Sequence, residues 1–422
     1  MRKPLRQSVF HIYFINEESI NMNTISKKKS ISASFVMFAL VILAMIFLAT
    51  PIQMKLGMTG VLVTEIILLA MAIIGVFVMK GSLKEVFPIK KPTIRQTFGA
   101  IFFWIGLYFV MLFSTLLIGY FFPESMNTVS TGMNDLITSV PVPVRFLIIA
   151  VSPAICEEAV HRGFILHYLK PLNKKWLIVL IMSVLFGIFH LDPMRFLSTA
   201  ILGLVFTYVV VETENIFYGF LLHLLNNTLS VSTTLLVDSA TIEASADASL
   251  SLLAVGSYLL IMCISPWFIW AGCSLLRPKN AEKKLATWKK ALICAAISVF
   301  CIIGGICITT YNSLSNCTLN ATTTTTIAEL ESAPYVQEFD IEKDGKQQLT
   351  AVMTSEAGII NVTITDANGT VVHETSAKEF FGNLQLELPA GHYTLKAEFT
   401  NPDSEDYSGE SPVVMSFMIL QL

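Results

Sequence analysis

Long apolar runs are the feature that most constrains how this chain can fold. Of its 422 residues, 54% are hydrophobic and 14% are charged, whereas about a quarter are charged in an ordinary soluble domain. The apolar residues gather in runs of roughly 18–25, the length of a membrane-crossing helix. There are nine runs, at about 33–50, 58–79, 97–122, 143–169, 176–191, 196–211, 215–236, 250–276 and 290–311. The composition predicts an all-α polytopic helix bundle in a lipid bilayer, and it excludes a soluble enzyme, a disordered chain and a nucleic-acid binder.

Basic clusters predict how the spans are oriented, because Lys and Arg concentrate on the cytoplasmic side of membrane proteins. With nine spans, every large cluster falls on one side, at 27–29, 80–95, 170–175 and 277–290. The loop 238–249, on the other side, is acidic. We therefore expect an integral plasma-membrane protein, in a bacterial cell membrane, with a cytoplasmic N-terminus and an extracytoplasmic C-terminal domain.

The chain is divided into four segments by its polar N-terminal residues and by the change in composition after the last apolar run. These are a cytoplasmic tail, a membrane domain, a Thr-rich linker and a β-domain, at 1–30, 31–312, 313–333 and 334–422. The first apolar run ends without a small-residue cleavage signal, which indicates a retained signal anchor. The sequence after Met22 is typical of a natural start, so translation from Met22 is a second interpretation of the N-terminus.

The segment after the threonine run 322–326 alternates between apolar and polar residues. This period of two, interrupted by Asn-Gly and Pro-x-Gly turns, predicts antiparallel hairpins. One hairpin is predicted around the turn 366–369 and a second around 389–391. About 100 residues of this pattern are typical of a small all-β sandwich.

Ionisable side chains are costly inside a membrane span, so each is a functional candidate. They cluster on the fourth, fifth and seventh spans, and Glu65 is the main exception. The cluster consists of Glu157, Glu158, Arg162, His190, His223 and Asn227. Four residues make about one helical turn, so Glu158 and Arg162 are predicted to form an ion pair. Glu157 lies about 100° around the helix and is left free for general-base work.

Two further residues have the spacing that oxyanion stabilisation requires. His223 and Asn227 are one turn apart, so both can donate hydrogen bonds toward a common point. His190 can orient a water molecule against Glu157. The sequence therefore indicates a hydrolytic site shared by three helices.

Other interpretations of the same residues remain open. A Glu–Arg pair can simply join helices, and an Asn in a span often does so. A non-catalytic scaffold or regulatory subunit would keep the cluster as structure. A transporter also places carboxylates and histidines at mid-membrane, although no clear inverted repeat is found in the sequence. The co-occurrence of all six residues on three spans favours the catalytic interpretation.

The sequence resembles the CPBP family at three motifs. These are Glu157-Glu158-x-x-x-Arg162, Phe186-x-x-x-His190 and His223-x-x-x-Asn227, within a core of about 97–237. The family includes the type II CAAX prenyl endopeptidases and the bacterial Abi proteins, among them bacteriocin-immunity proteins. The resemblance implies an intramembrane endopeptidase.

The resemblance also implies roles for the motif residues. Glu157 and His190 would activate the hydrolytic water, and His223 and Asn227 would stabilise the oxyanion. Glu158 and Arg162 would be the supporting pair. His161 replaces the aromatic or aliphatic residue usual at its position in the first motif, and the sequence favours an interfacial location for it over a contact with Glu157.

Cofactor and partners follow from the same resemblance. The family is called metalloproteases, but a metal-free glutamate mechanism is also argued for it. Glu157, His190 and His223 would be the ligands of a zinc ion, if one is bound. The expected partner is a peptide or protein substrate that enters from the membrane, in peptide maturation or bacteriocin immunity. No nucleic acid is expected as a partner, and the sequence does not indicate an oligomeric state.

Overall fold

The structure is a computed structural model that describes residues 27–236, 252–277, 286–401 and 408–421. Most of the N-terminal tail with Met22, the acidic loop 238–249 and part of the basic cluster 277–290 lie outside the described residues. The chain divides into two compact units, Met1–Ile306 and Cys307–Leu422.

Helices make up the described part of the first unit, and the last of these extends into the second unit. The helices are α1 (Lys27–Leu56), α2 (Met58–Val78), α3 (Leu83–Val86), α4 (Ile94–Phe121), α5 (Pro123–Thr138), α6 (Val142–Leu172), α7 (Lys175–Phe189), α8 (Pro193–Thr213), α9 (Phe217–Leu236), α10 (Leu252–Leu276) and α11 (Thr287–Ser315). Each of the nine predicted apolar runs thus lies largely on a helix in the part of the chain that the structure describes.

The predicted count of nine spans is not confirmed. Among the described residues, six helices are long and apolar enough to cross a membrane, or seven if α5 and α6, bent by 119°, form one broken span. Helix α7 has 15 residues, or about 22 Å at 1.5 Å per residue, which is shorter than a hydrocarbon core of about 30 Å.

Helix α6 is irregular where it carries the first motif. Its α-helical hydrogen bonding changes to π-helical turns at Phe146–Val151 and Ala159–Ile165. Such bulges are common at functional sites, because they change the direction of the side chains that follow. The second bulge begins directly after Glu158, and its seven residues are all buried.

Two apolar clusters hold the helices of this unit together. One joins α1, α2, α3, α6, α7 and α8, and the other joins α4, α7, α8, α9 and α10. Small residues let α4 and α10 approach closely, as is usual between membrane helices. Ser265 donates a hydrogen bond of 2.7 Å to the carbonyl of Gly106, and a Cβ on Gly272 would meet the Phe103 nitrogen at 2.5 Å.

The second unit is an antiparallel β-sandwich, as predicted. Its strands are β1 (Cys317–Thr326), β2 (Tyr335–Ile341), β3 (Gly345–Thr354), β4 (Ile359–Asp366), β5 (Val371–Ala377), β6 (Glu379–Leu388), β7 (Gly391–Thr400) and β8 (Pro412–Gln421). They form two sheets, in the orders β1-β8-β3-β6 and β2-β7-β4-β5. A short helix, α12 (Ile327–Ser332), follows β1, and the buried side chains alternate along the strands to make one apolar core.

The structure differs from the predicted linker. Thr322–Thr326 belong to strand β1 and pair with residues 412–416 of β8. Thr326 then caps α12 in a capping box with Glu329. Threonine favours strands because its branched side chain packs well on a pleated surface. The threonine run is therefore part of a strand of the sandwich, not a linker.

Only one of the two predicted hairpins forms. Strands β4 and β5 pair around the turn at Asp366, whose carboxylate accepts hydrogen bonds from the Asn368 and Thr370 nitrogens. The second prediction is wrong, because β6 pairs with β3 whereas β7 pairs with β2 and β4. The chain changes sheets at Pro389, whose carbonyl accepts a hydrogen bond of 2.8 Å from the Tyr393 hydroxyl.

Candidate active site

The candidate residues lie on three helices that the sequence places apart. Glu157 and Glu158 end an α-helical stretch of α6, and His190 caps the C-terminus of α7. His223 and Asn227 lie on α9. The stretch Ser152–Glu158 of α6 packs against both α9 and α2, which brings the first and third motifs together.

A shared carboxylate oxygen is the centre of the site. Glu158 Oε1 accepts a hydrogen bond of 2.7 Å from Arg162 Nη1 and one of 3.0 Å from His223 Nδ1. The Glu158 and Arg162 side chains are both fully buried. The ion pair expected from the four-residue spacing is therefore present, and it holds a histidine of another helix as well.

Arg162 uses its remaining donors on α8. Its Nη2 donates to the Gly203 carbonyl at 3.1 Å, and its Nε donates to Thr207 Oγ1 at 3.4 Å. The guanidinium also lies over the Phe186 ring, 4.3 Å from the centroid. These contacts fix the position of the buried guanidinium, so Arg162 has a supporting role in the structure of the site.

Glu157 differs from its neighbour. It is almost buried, and its Oε2 has no hydrogen-bond partner. His223 Nε2 lies 4.0 Å from this oxygen. Oε2 of Glu158 likewise has no hydrogen-bond partner, so the two glutamates differ at Glu158 Oε1, which accepts from both Arg162 and His223.

His190 has a defined tautomer when it is neutral. Its Nδ1 is 2.9 Å from the Phe186 carbonyl, and because a carbonyl can only accept, Nδ1 carries the proton. The lone pair is then on Nε2. No hydrogen bond joins His190 to Glu157 within the described part of the chain, so the predicted contact between them through water stays a prediction.

One ring nitrogen of His223, Nδ1, is engaged in the hydrogen bond to Glu158. Because Nδ1 donates to Glu158, donation from Nε2 toward an oxyanion requires the imidazolium form. Nε2 is the nitrogen that faces Glu157. The ring stacks on Phe206, with centroids 5.2 Å apart, which restricts its rotation.

Asn227 is held in one orientation by its neighbours. Its Nδ2 donates to the Ile149 carbonyl at 2.9 Å, and its Oδ1 accepts from Asn226 Nδ2 at 3.2 Å. The amide nitrogen carries two hydrogens, and the hydrogen bond to Ile149 uses one of them. The second remains available for an oxyanion.

His161 is not interfacial, so this sequence prediction is wrong. Its side chain is fully buried, and its Nδ1 donates to the Glu157 carbonyl at 2.8 Å. The ring packs edge-on against Phe186 and Phe189. The contact with Glu157 that the spacing allowed is therefore made through the backbone.

The expected zinc ligands do not form a metal-binding group. Across the described residues, no three His, Cys, Asp or Glu side chains are arranged to hold a metal ion. Glu157, His190 and His223 thus do not converge as ligands in the described part of the chain.

Several residues that support the site are not predicted from the sequence. Gly203 and Thr207 accept from Arg162, Asn226 orients Asn227, and Gly219 makes room for Glu158. The signal for Gly203 and Gly219 was a small residue within an apolar run. Nothing in the sequence pairs either glycine with the first motif.

Comparison with known proteins identifies the region around the site. Residues 139–229 match the family model described as type II CAAX prenyl endopeptidase Rce1-like. This match contains all three motifs, and it confirms the resemblance predicted from them. None of the curated proteins compared matches the chain.

Among solved structures, the chain is similar to a family two carbohydrate esterase from Cellvibrio japonicus. The identity is 17% and the TM-score is 0.12, over 24% of this chain and 34% of the esterase chain. The matched part thus spans about a third of that esterase's length. At this TM-score the similarity carries no argument about fold or function.

We predict that breaking the buried ion pair destabilises the protein. Glu158→Ala or Arg162→Ala leaves an uncompensated buried charge, a loss of about 3–5 kcal/mol. Thermal unfolding in detergent measures this change. The control is Lys90→Ala, which breaks an exposed pair with Glu214 and should cost at most about 1 kcal/mol. Equal shifts in all three variants would contradict the prediction.

A second prediction concerns the space beside Glu158. The Cβ of Gly219→Ala would lie 2.5 Å from Glu158 Oε2, and the carboxylate cannot move without straining its hydrogen bonds. We expect a loss of about 1–3 kcal/mol, as for overpacking. In Gly132→Ala the new Cβ meets open space, so thermal unfolding should show no loss. An unchanged midpoint for Gly219→Ala would mean that Glu158 is not held as described.

Proposed function

Residues 139–229 match the family model of the type II CAAX prenyl endopeptidases, and on that premise we propose that the chain is an intramembrane endopeptidase in which Glu157 activates water. One observation carries the proposal. The Glu157 carboxylate is almost buried and its Oε2 has no hydrogen-bond partner, whereas the neighbouring Glu158 is held through Oε1 by Arg162 and His223. A general base needs such free acceptor capacity, within reach of the water that it deprotonates.

In this mechanism a water molecule lies between Glu157 and the lone pair on His190 Nε2. The water oxygen attacks the carbonyl carbon of the scissile peptide bond, and its proton passes to Glu157. The carbon–nitrogen bond then breaks as the leaving amine takes that proton from Glu157. General acid–base catalysis of this kind typically contributes about 10²–10⁴ in rate.

The charge that develops on the carbonyl oxygen needs donors. We assign this role to His223 Nε2–H in the imidazolium form and to the second amide hydrogen of Asn227. Glu158 supports the imidazolium through the hydrogen bond to Nδ1. Arg162 in turn keeps Glu158 in place, so this pair positions His223 without contact with substrate.

Zinc is the cofactor that this donor set would take if the side chains moved together. Glu157, His190 and His223 would hold the ion, which would supply a Lewis acid for the water. The assay below, run with and without a chelator, separates zinc-dependent from zinc-independent hydrolysis.

The proposed substrate is a peptide segment that enters the site from the membrane. We place the protein in the plasma membrane of a bacterium, in maturation of a secreted peptide or in immunity to a bacteriocin. The sandwich unit, Cys307–Leu422, contains none of the three motifs and is proposed to lie outside the cytoplasm, where it is dispensable for the chemistry.

Glu157→Gln tests the proposed mechanism. The substitution removes the base but little volume, so peptide hydrolysis by the purified protein should fall by about 10²–10⁴-fold with unchanged thermal unfolding. The matched control is Glu124→Gln, an exposed glutamate of α5, which should retain full turnover. Retention of activity in Glu157→Gln would refute the general-base assignment, and a protein that hydrolyses no peptide would support the scaffold or transporter alternatives.

Labelling in intact cells tests the orientation. Asn368→Cys places a thiol in an exposed turn of the sandwich, and Lys91→Cys places one in a loop expected to be cytoplasmic. A membrane-impermeant maleimide should add to the first in intact cells and to the second only after permeabilisation. The parent chain controls for its native cysteines. The opposite pattern would reverse the proposed topology.

A further inference from the structure

An open cavity of about 390 Å³ lies between α10 and α11, outside the residues that match the family model. Its volume is within the range of about 300–1,000 Å³ that is typical of ligand sites. Most of the side chains that line it are apolar, among them Val110, Met262, Ile269, Trp270, Ile297 and Cys301. The greater part of this cavity therefore suits a hydrocarbon chain.

Two cations without a carboxylate partner line the same cavity. Among its described lining residues, the only charged ones are Arg277 and Lys290, and both are half-buried. In the described part of the chain, neither forms an ion pair within 4 Å, whereas Lys175 of α7 is paired with Glu212. The donors of Arg277 and Lys290 are therefore available to an anion.

These cations lie at one end of the cavity. Arg277 directly follows the last residue of α10, and Lys290 lies in the first turn of α11. Trp288 of the same turn is exposed, and tryptophan is enriched at the interface between membrane and water. We therefore expect this end of the cavity at the level of the lipid head groups.

The apolar part of the cavity extends from that end toward the middle of the membrane. On α11 the lining residues run from Lys290 to Cys301, eleven residues or about 17 Å at 1.5 Å per residue. This length is about half of a hydrocarbon core of about 30 Å. The cavity thus has the depth of one leaflet, which is the space that a single acyl chain occupies.

We propose that the cavity between α10 and α11 binds an anionic phospholipid of the bilayer. Its phosphate accepts hydrogen bonds from Arg277 and Lys290, and one acyl chain lies along α11 toward Cys301. Basic pockets between membrane helices bind anionic head groups in this way, and a guanidinium pairs with phosphate through two parallel hydrogen bonds. An apolar helix of a second copy would leave both cations unpaired.

Native mass spectrometry of the full chain in detergent tests the proposal, and it requires no peptidase activity. The protein is titrated with phosphatidylglycerol or with phosphatidylcholine of the same acyl chains. The wild type is compared with the double variant Arg277→Gln/Lys290→Gln. The matched control is Lys84→Gln/Lys91→Gln, which removes two exposed lysines between α2 and α4.

We expect the wild type to bind phosphatidylglycerol more tightly than phosphatidylcholine. The variant Arg277→Gln/Lys290→Gln should raise the Kd for phosphatidylglycerol by about 10–30-fold, because each basic residue near an anionic lipid contributes a factor of about five. The Kd for phosphatidylcholine should change less, and the control variant should retain the affinity of the wild type for both lipids.

A second variant tests the apolar part of the cavity. Ile297 lines the cavity and is 46% exposed, so the side chain of Ile297→Trp can enter it without displacing α10. We expect weaker binding of both lipids and unchanged thermal unfolding. Ile303→Trp is the control, because Ile303 lies on the same helix, is exposed, and is outside the cavity.

Several results would overturn the proposal. One is equal affinity of the wild type for the two lipids, and another is an unchanged Kd in Arg277→Gln/Lys290→Gln or in Ile297→Trp. An equal loss in the Lys84→Gln/Lys91→Gln control would show only a general effect of surface charge. Competition by glycerol phosphate as strong as that by the intact lipid would show that no acyl chain is bound. A lipid-free dimer that Ile297→Trp dissociates would assign the cavity to a second copy of the chain.

Discussion

The membrane unit depends on the ion pair between the fully buried carboxylate of Glu158 and Arg162. An uncompensated charge in such a place costs several kcal/mol, so the helices must bring partners to it. Helix α6 supplies Arg162, α9 supplies His223, and α8 supplies the Gly203 carbonyl for the other end of Arg162. Three helices are thereby fixed in register by one buried charge, and α8, which carries no motif, becomes part of the site.

Much of this site could be predicted because spacing along a helix is local. The ion pair of Glu158 and Arg162 follows from one turn of helix, and the family model confirms the region of the motifs. Contacts between helices do not follow from spacing. The bond from His223 to Glu158 and the burial of His161 depend on how helices pack and on the π-helical turn at Ala159–Ile165.

The sandwich shows the same division between local and non-local information. Alternation along a strand reports which side chains face the core, and the buried residues of both sheets follow it. It does not report which strand is the partner. The chain turns at Pro389, so β6 and β7 belong to different sheets although their sequences are typical of a hairpin. The threonines of β1 have a composition typical of a linker, but they form a strand because they pair with β8.

Unused hydrogen-bond capacity is concentrated around the buried ion pair. Arg162 has several partners in addition to Glu158 and holds Glu158 Oε1 in place, while Glu158 Oε2 has no hydrogen-bond partner. Glu157 retains an acceptor, and His223 has one nitrogen free of hydrogen bonds to protein. A membrane interior tolerates such unsatisfied groups only at a cost of several kcal/mol each. The unpartnered oxygens of Glu157 and Glu158 lie beside the free nitrogen of His223, and this concentration supports the proposal that the region receives substrate and water.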